Sequence, residues 1–310
     1  MEFINFKDYT MRDVKYSFLV LAGLCSAEYV FAVEQADKES SKPNIILITT
    51  DQQSYNTISA LASLNRESNF FSTPNIDRIV DNGTAFNLTY CANPVSVPSR
   101  FSLYTGLYGG KYSIRENLCV GAKGEEVRPV LEKNGMGHVF ARAGYETLYA
   151  GKVHLPYSGK NSDSKFSVPD SYGFQQYLTK DERAGLGKVS AEFIRNRKPG
   201  DKPFLYVANF LNPHDICLEG STNVSDVIKG SNKKPDIVAT VKMMRQRAAA
   251  IPEEKFYGEL APELPYNFEV TDGYPNTKCS RKRFLDLPEN YWRKYRWTYA
   301  ELVKLVDEHI

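Results

Sequence analysis

Four stretches of this chain carry residue types that can do chemistry together. In Ser96-Val97-Pro98-Ser99-Arg100 a hydroxyl stands two residues before a proline and four before an arginine, and Leu103, Thr105 and Gly106 continue the segment. Proline fixes its own φ and turns the preceding residue away from the helical region. The sequence therefore predicts Ser96 in a rigid extended entry, with a helix starting at Ser99, a good N-cap. A side chain just ahead of a helix N-terminus is placed to meet an anion; on spacing alone, a plain turn and cap is the alternative. Asp51 closes the apolar run that starts at Ile45, where a carboxylate can coordinate a hard cation or merely cap the next segment. Lys152 and His154 alternate in Gly151-Lys152-Val153-His154-Leu155. On extended backbone both point to one side, as a pair able to hold an oxyanion and move a proton. His214 follows Asn212-Pro213, just past the apolar run Phe204 to Phe210.

The elements that must position these groups read as α/β. Unbroken apolar runs at 45–48 and 204–208 suit strands buried on both faces, as in a parallel sheet covered by helices. Ligands of such sheets bind beyond the carboxyl ends of the strands, which is where Asp51 and His214 fall. Thr73 to Phe86 reads as a short amphipathic helix closed by Gly83 and followed by a strand. Val130 to Ala143 reads as one helix, with Leu131, Met136, Val139 and Phe140 on its apolar stripe, before a strand at Tyr145 to Ala150. Val189 to Arg197 reads as a helix. So does Tyr291 to Ile310, with Tyr295, Tyr299, Leu302, Leu305 and Val306 on one side. Between them, at about 219–283, lies a polar insert with a short helix near Ala239 to Ala250.

Read whole, Ser96-x-Pro98-Ser99-Arg100-x-x-Leu103-x-Thr105-Gly106 resembles the serine-type signature of the bacterial sulfatase family. Gly151-Lys152-x-His154-Leu155 and Pro213-His214 resemble the blocks that follow it there, in the same order, and the resemblance runs from Pro43 to Ile310. It implies an alkaline-phosphatase-like α/β sandwich, with a central, mostly parallel sheet flanked by helices and incomplete on its C-terminal side. It further implies that Ser96 is oxidised to formylglycine by a sulfatase-maturing enzyme that reads Pro98 and Arg100. A divalent cation, calcium, would be bound by Asp51, the modified Ser96 and Gln52, which stands where the family often has a second Asp. By the same resemblance Arg100 holds the modified side chain and Lys152 compensates charge on the sulfate. His214 protonates the leaving alcohol, and His154 deprotonates the second hydroxyl of the hydrated aldehyde. The implied reaction is hydrolysis of a sulfate ester on a carbohydrate, a glycosaminoglycan or an aryl group. Two readings remain beside it. One is a phosphoryl-transfer enzyme or phosphoesterase of the same fold using unmodified Ser96; the other is an inactive or weakly active fragment, since the family's remaining metal ligands are expected beyond residue 310.

Composition narrows the field. A chain of 310 residues, 42% hydrophobic and 25% charged, can bury a sizeable core. A net charge of +2 excludes the electrostatic footprint of a nucleic-acid binder. Aromatics at 13% are compatible with carbohydrate-facing surfaces. Residues 1–32 read as a signal peptide starting at Met1 or Met11: Arg12 and Lys15 precede an apolar run from Tyr16 to Ala27, and Val30-Phe31-Ala32 offers a cleavage site. That run is too short for a stable membrane span. Export to the periplasm or beyond is expected, with lipoprotein anchoring at Cys25 the alternative. Residues 33–42 form a linker and 43–310 the catalytic domain. Cys91, Cys119, Cys217 and Cys279 show no Cys-x-x-Cys spacing, so they read as buried thiols rather than a zinc site.

Overall fold

The computed structural model describes residues 42–64, 70–86, 88–119, 123–157, 169–219, 235–265, 268 and 288–310. The expected signal peptide, most of the linker and much of the 219–283 insert lie outside them.

The sheet has four strands, β1 (Ile45–Asp51), β2 (Glu146–Gly151), β3 (Gln176–Tyr177) and β4 (Phe204–Pro213), in the order β1-β4-β2-β3. Every pairing is parallel. All ten residues of the central β4 are buried, and their alternation builds a core on each face. Leu205 and Val207, with Tyr149 of β2, pack against Val97, Phe101 and Tyr104 of α2 (Ser96–Thr105) and against Val127 and Leu131 of α3 (Gly124–Asn134). Phe204, Tyr206, Ala208 and Phe210 pack on the other face, with Leu186 of α5 (Ala184–Arg195) and Val306 of α8 (Glu289–Asp307). The expected α/β class with a parallel sheet between helices is thus present.

Several expectations need correction. The β1 run is not buried on both faces: Ile46 and Ile48 remain 43% and 38% exposed. β1 is an edge strand paired with β4 alone among the described residues, and an apolar run does not reveal whether its outer face is covered. The helix expected over Val130 to Ala143 is two, α3 and α4 (Met136–Arg142), divided at Gly135. A Cβ there would lie 2.6 Å from the Leu131 carbonyl oxygen and 2.7 Å from that of Tyr172, so only glycine fits the close approach. After α1 (Pro74–Asp81) residues 84–86 form no strand, and Phe86 is exposed. Cys91 and Cys217 are free thiols but exposed, not buried. Among the described residues no helix is long and apolar enough to cross a membrane.

α8 ties the layers together. Asp307 accepts from the backbone N–H groups of Asn75 (3.2 Å) and Ile76 (2.8 Å), so it serves α1 as an N-terminal cap supplied from a distant helix. Between β4 and α8 lie α6 (Ile216–Glu219), α7 (Pro235–Ala249) and a π-helical turn at Phe256–Leu260.

Candidate active site

The carboxyl end of β1, the turn after β4 and the N-terminus of α2 meet at one cleft of about 730 Å³. Asp51, Gln52, Ser96, Arg100 and His214 all line it. The helix does not begin at Ser99 as the proline suggested. α2 starts at Ser96, and its first i→i−4 bond runs from Ser99 N–H to the Val95 carbonyl (3.0 Å). Pro98 falls in the first turn, where an N–H would have no intrahelical acceptor, so its missing donor costs nothing. Val97 N–H instead donates to Asn117 Oδ1 at 3.2 Å. Ser96 is therefore the first helical residue, and its side chain stands at the positive end of the helix.

Asp51 is the centre of the charge network. Its Oδ2 accepts from Lys152 Nζ at 2.7 Å and Arg100 Nη2 at 3.1 Å, and lies 3.3 Å from Ser96 Oγ. Burial would raise the Asp51 carboxyl, but Lys152 and Arg100 outweigh it and hold the group below its ordinary value. Burial lowers the Lys152 ammonium, against the pull of Asp51. Both cations are nearly inaccessible, at 6% exposure each, so their pairing with the carboxylate is what makes their burial tolerable.

His154 Nδ1 lies 3.0 Å from Ser96 Oγ. The single hydroxyl proton can serve either His154 or Asp51, not both. Burial first, then the positive charges of Lys152 and Arg100, bring His154 down to about 4, so its imidazole is neutral at neutral pH. Lys152 and His154 do converge, though not through extended backbone. β2 ends at Gly151, and His154 has φ 39°. At Gly151 (φ 80°) a Cβ would sit 2.2 Å from the Asn209 carbonyl oxygen, so glycine is what lets the chain turn toward the cleft there. His214 follows β4 at the cleft, and burial with Lys152 lowers its imidazole also. Gln52, like His154, has positive φ (63°), and such backbone costs about 1–3 kcal/mol each where structure over-determines it.

All five residues expected to act, Ser96, Arg100, Lys152, His154 and His214, reach this one region. The metal set fits less well. Asp51 Oδ2 is engaged by two cations, and the Gln52 Oε1 accepts from Cys217 Sγ–H at 3.0 Å. Among the described residues no three His, Cys, Asp or Glu side chains are grouped as a metal would need. One carboxylate, one amide oxygen and Ser96 fall short of the six to eight oxygens calcium takes. The described residues do not fit calcium.

Three contributors were not read from the sequence. Asn209 Oδ1 accepts from Arg100 Nη1 (2.9 Å), Thr49 Oγ1 (2.7 Å) and Tyr104 Oη (2.6 Å). Tyr149 Oη donates to the Lys152 carbonyl at 2.8 Å. Tyr299 of α8 donates to the Gln52 carbonyl and accepts from Ser54 N–H, both at 2.8 Å. Polar Asn209 and Thr49 inside apolar strand runs were the available signals.

The sulfatase family profile matches residues 43–310. A Delta 4,5-hexuronate-2-O-sulfatase of Bacteroides thetaiotaomicron is 25% identical over 89% of this chain and 52% of its own length. The chain thus spans about half the length of that curated relative. A crystal structure from Bacteroides thetaiotaomicron superposes with a TM-score of 0.58 at 22% identity, over 87% of this chain and 53% of that one. The structure of a 2-O GAG sulfatase gives 0.53 at 22% identity over the same shares, 87% and 53%. These likenesses bear out the alkaline-phosphatase-like α/β fold expected from the motifs. The chain belongs to the sulfatase family.

Proposed function

We propose that this chain hydrolyses a sulfate ester on a carbohydrate, with Ser96, converted to formylglycine, as the nucleophilic position. The observation that carries the reading is the 3.0 Å approach of a neutral histidine, His154, to Ser96 Oγ beside the buried Lys152 and Arg100. Formylglycine supplies, once hydrated, two hydroxyls on one carbon, one to attack sulfur and one to release the product. The chain's own residues do the rest. His154 is held unprotonated and takes a proton at Nδ1. Lys152 and Arg100 exceed the single charge of Asp51, so their field favours an anionic group in the cleft and the charge that builds on it. His214 must donate a proton to the leaving oxygen. Burial first and then Lys152 disfavour its protonation, and an anion held beside Lys152 would offset the second of these. The names of the relatives direct the first assays to hexuronate 2-O-sulfate and other sulfated glycosaminoglycan sugars. Export through residues 1–32 would bring the protein to such substrates.

The maturing enzyme has to act before folding, because Pro98 is buried and Arg100 is only 6% exposed in the folded chain. Co-expression with a radical-type maturing enzyme is expected to lower the mass of the peptide carrying residue 96 by about two daltons, two hydrogens for alcohol to aldehyde. Treating the folded chain with that enzyme is expected to leave the mass unchanged. The matured protein is then assayed for sulfate release from aryl, hexuronate and glucosamine sulfates. Modification without release favours the non-catalytic reading. The approach of His154 to an unmodified Ser96 Oγ also suits direct nucleophilic attack on a phosphoryl group. An unchanged mass beside an active maturing enzyme, with phosphate-ester turnover, would put that second reading in place of the first.

A further inference from the structure

We infer that Asn209 is a positioning residue, which fixes both cations of the Asp51 cluster from the centre of the sheet; its catalytic consequence rests on the function proposed above. Asn209 lies in β4 and is fully buried, a primary amide in a strand otherwise apolar from Phe204 to Leu211. Burying an amide is unfavourable unless its groups are bonded, so the position needs a reason. Its backbone carbonyl accepts from Lys152 N–H at 2.9 Å. Its side-chain oxygen accepts from Arg100 Nη1 at 2.9 Å, and its Nδ2 donates to the Ala150 carbonyl at 3.3 Å. One residue thus holds the main chain of Lys152 and the guanidinium of Arg100, the two residues whose side chains grip Asp51 Oδ2.

The geometry distinguishes positioning from filling. Three donors converge on Asn209 Oδ1, from Thr49, Arg100 and Tyr104. Structural satisfaction of a carbonyl oxygen requires no more than its two lone pairs to be used. With Nη1 tied to Asn209, the planar guanidinium can present Nη2 to Asp51 in one orientation only. The neutral amide also matters. It gives Arg100 an acceptor while leaving its positive charge to Asp51 and the cleft, which a carboxylate in its place would cancel.

The first test is the side-chain nitrogen spectrum of Arg100, which needs no turnover. In the parent protein rotation about Nε–Cζ is expected to be slow and the Nη resonances resolved, because Nη1 and Nη2 are both bonded. Asn209→Ser is expected to speed that rotation by about tenfold or more, the loss of a hydrogen bond to a charged group. Asn209→Asp, whose charged acceptor bonds more strongly, is expected to slow it. Rotation unchanged in Asn209→Ser would overturn the proposal; should that variant not fold, an unchanged rate in Asn209→Asp would do so. The second test is sulfate-ester turnover by the matured protein. Asn209→Ser is expected to lower kcat/KM by about tenfold to a hundredfold, with the peptide carrying residue 96 modified to the same extent as in the parent. An unchanged kcat/KM at equal modification would overturn the catalytic consequence. A parent protein with no turnover counts against the proposed function alone, and the spectrum still decides the role of Asn209.

Discussion

His154 is neutral because burial and two neighbouring cations oppose its protonation, and this has a cost in acid. Its value in the folded chain, about 4, lies below the ordinary 6.5. Between these limits the unfolded state binds more protons than the folded one, so stability rises with pH across the window and is lost as pH falls from about 6.5 to 4. His214 shifts the same way, whereas Asp51, held below its usual value, withdraws its contribution only at still lower pH. The expected outcome is a melting temperature that drops on acidification through that window, and a shallower drop in His154→Gln. Equal slopes in the two proteins would show that His154 is not the group responsible. Calcium offers a second check on the same cluster. With Asp51 engaged by Lys152 and Arg100, millimolar calcium should leave the melting temperature of this chain unchanged. A clear rise would show that the described residues do bind the ion. The candidate residue types are legible in the sequence because each motif is local. Their pKa directions are not, since these come from burial and from partners distant in sequence, as Lys152 is for Asp51.

At the scale of elements, the loop after β1 depends on a helix nearly 250 positions away. Gln52 takes a positive φ that a non-glycine residue adopts only when held. One phenolic oxygen, Tyr299 Oη, bonds both the Gln52 carbonyl and the Ser54 N–H across that turn. Tyr299→Phe removes both bonds while keeping the ring that packs edge-on against Phe71. The expected loss is about 1 kcal/mol, because water can reach the freed groups, with faster amide exchange at Ser54 and slower turnover through a looser Asp51–Gln52 turn. Unchanged exchange at Ser54 would show that the turn holds itself. The helical period of α8 was readable from Tyr295, Tyr299 and Leu302, yet periodicity treats Tyr299 as part of an apolar stripe. Its hydroxyl contact is long-range and leaves no trace in spacing. The start of α2 was misplaced for a related reason. Pro98 disfavours helical backbone at Val97 only as a tendency, and a first-turn proline is compatible with the helix that the packing of Val97 and Phe101 requires.

For the whole molecule, the order β1-β4-β2-β3 leaves one side of β1 unpaired among the described residues. Which strand lies at the edge is a property of partner order, and no stretch of sequence encodes it locally; this is why the run at Ile45 reads as buried on both faces. The consequence is physical. An edge strand presents a row of unpaired N–H and C=O groups, and proteins commonly protect it with charge, proline or a bulge. From Ile45 to Thr50 β1 has no charged residue and no proline, its register shifts only at the Thr49–Asp51 end, and Ile46 and Ile48 stand exposed beside that edge. Phe86, Leu88 and Tyr90 add further exposed apolar surface. The chain is therefore expected to self-associate through β1 as concentration rises, with added β-structure on association. Ile48→Lys places a charge on the exposed side of the strand, away from the core that Ile45 and Leu47 join, so it should suppress association and change the melting temperature of the monomer little. Sedimentation of the two proteins over a concentration series decides the matter. Association that persists unaltered in Ile48→Lys would place the sticky surface elsewhere, with the 86–90 segment the next to be charged.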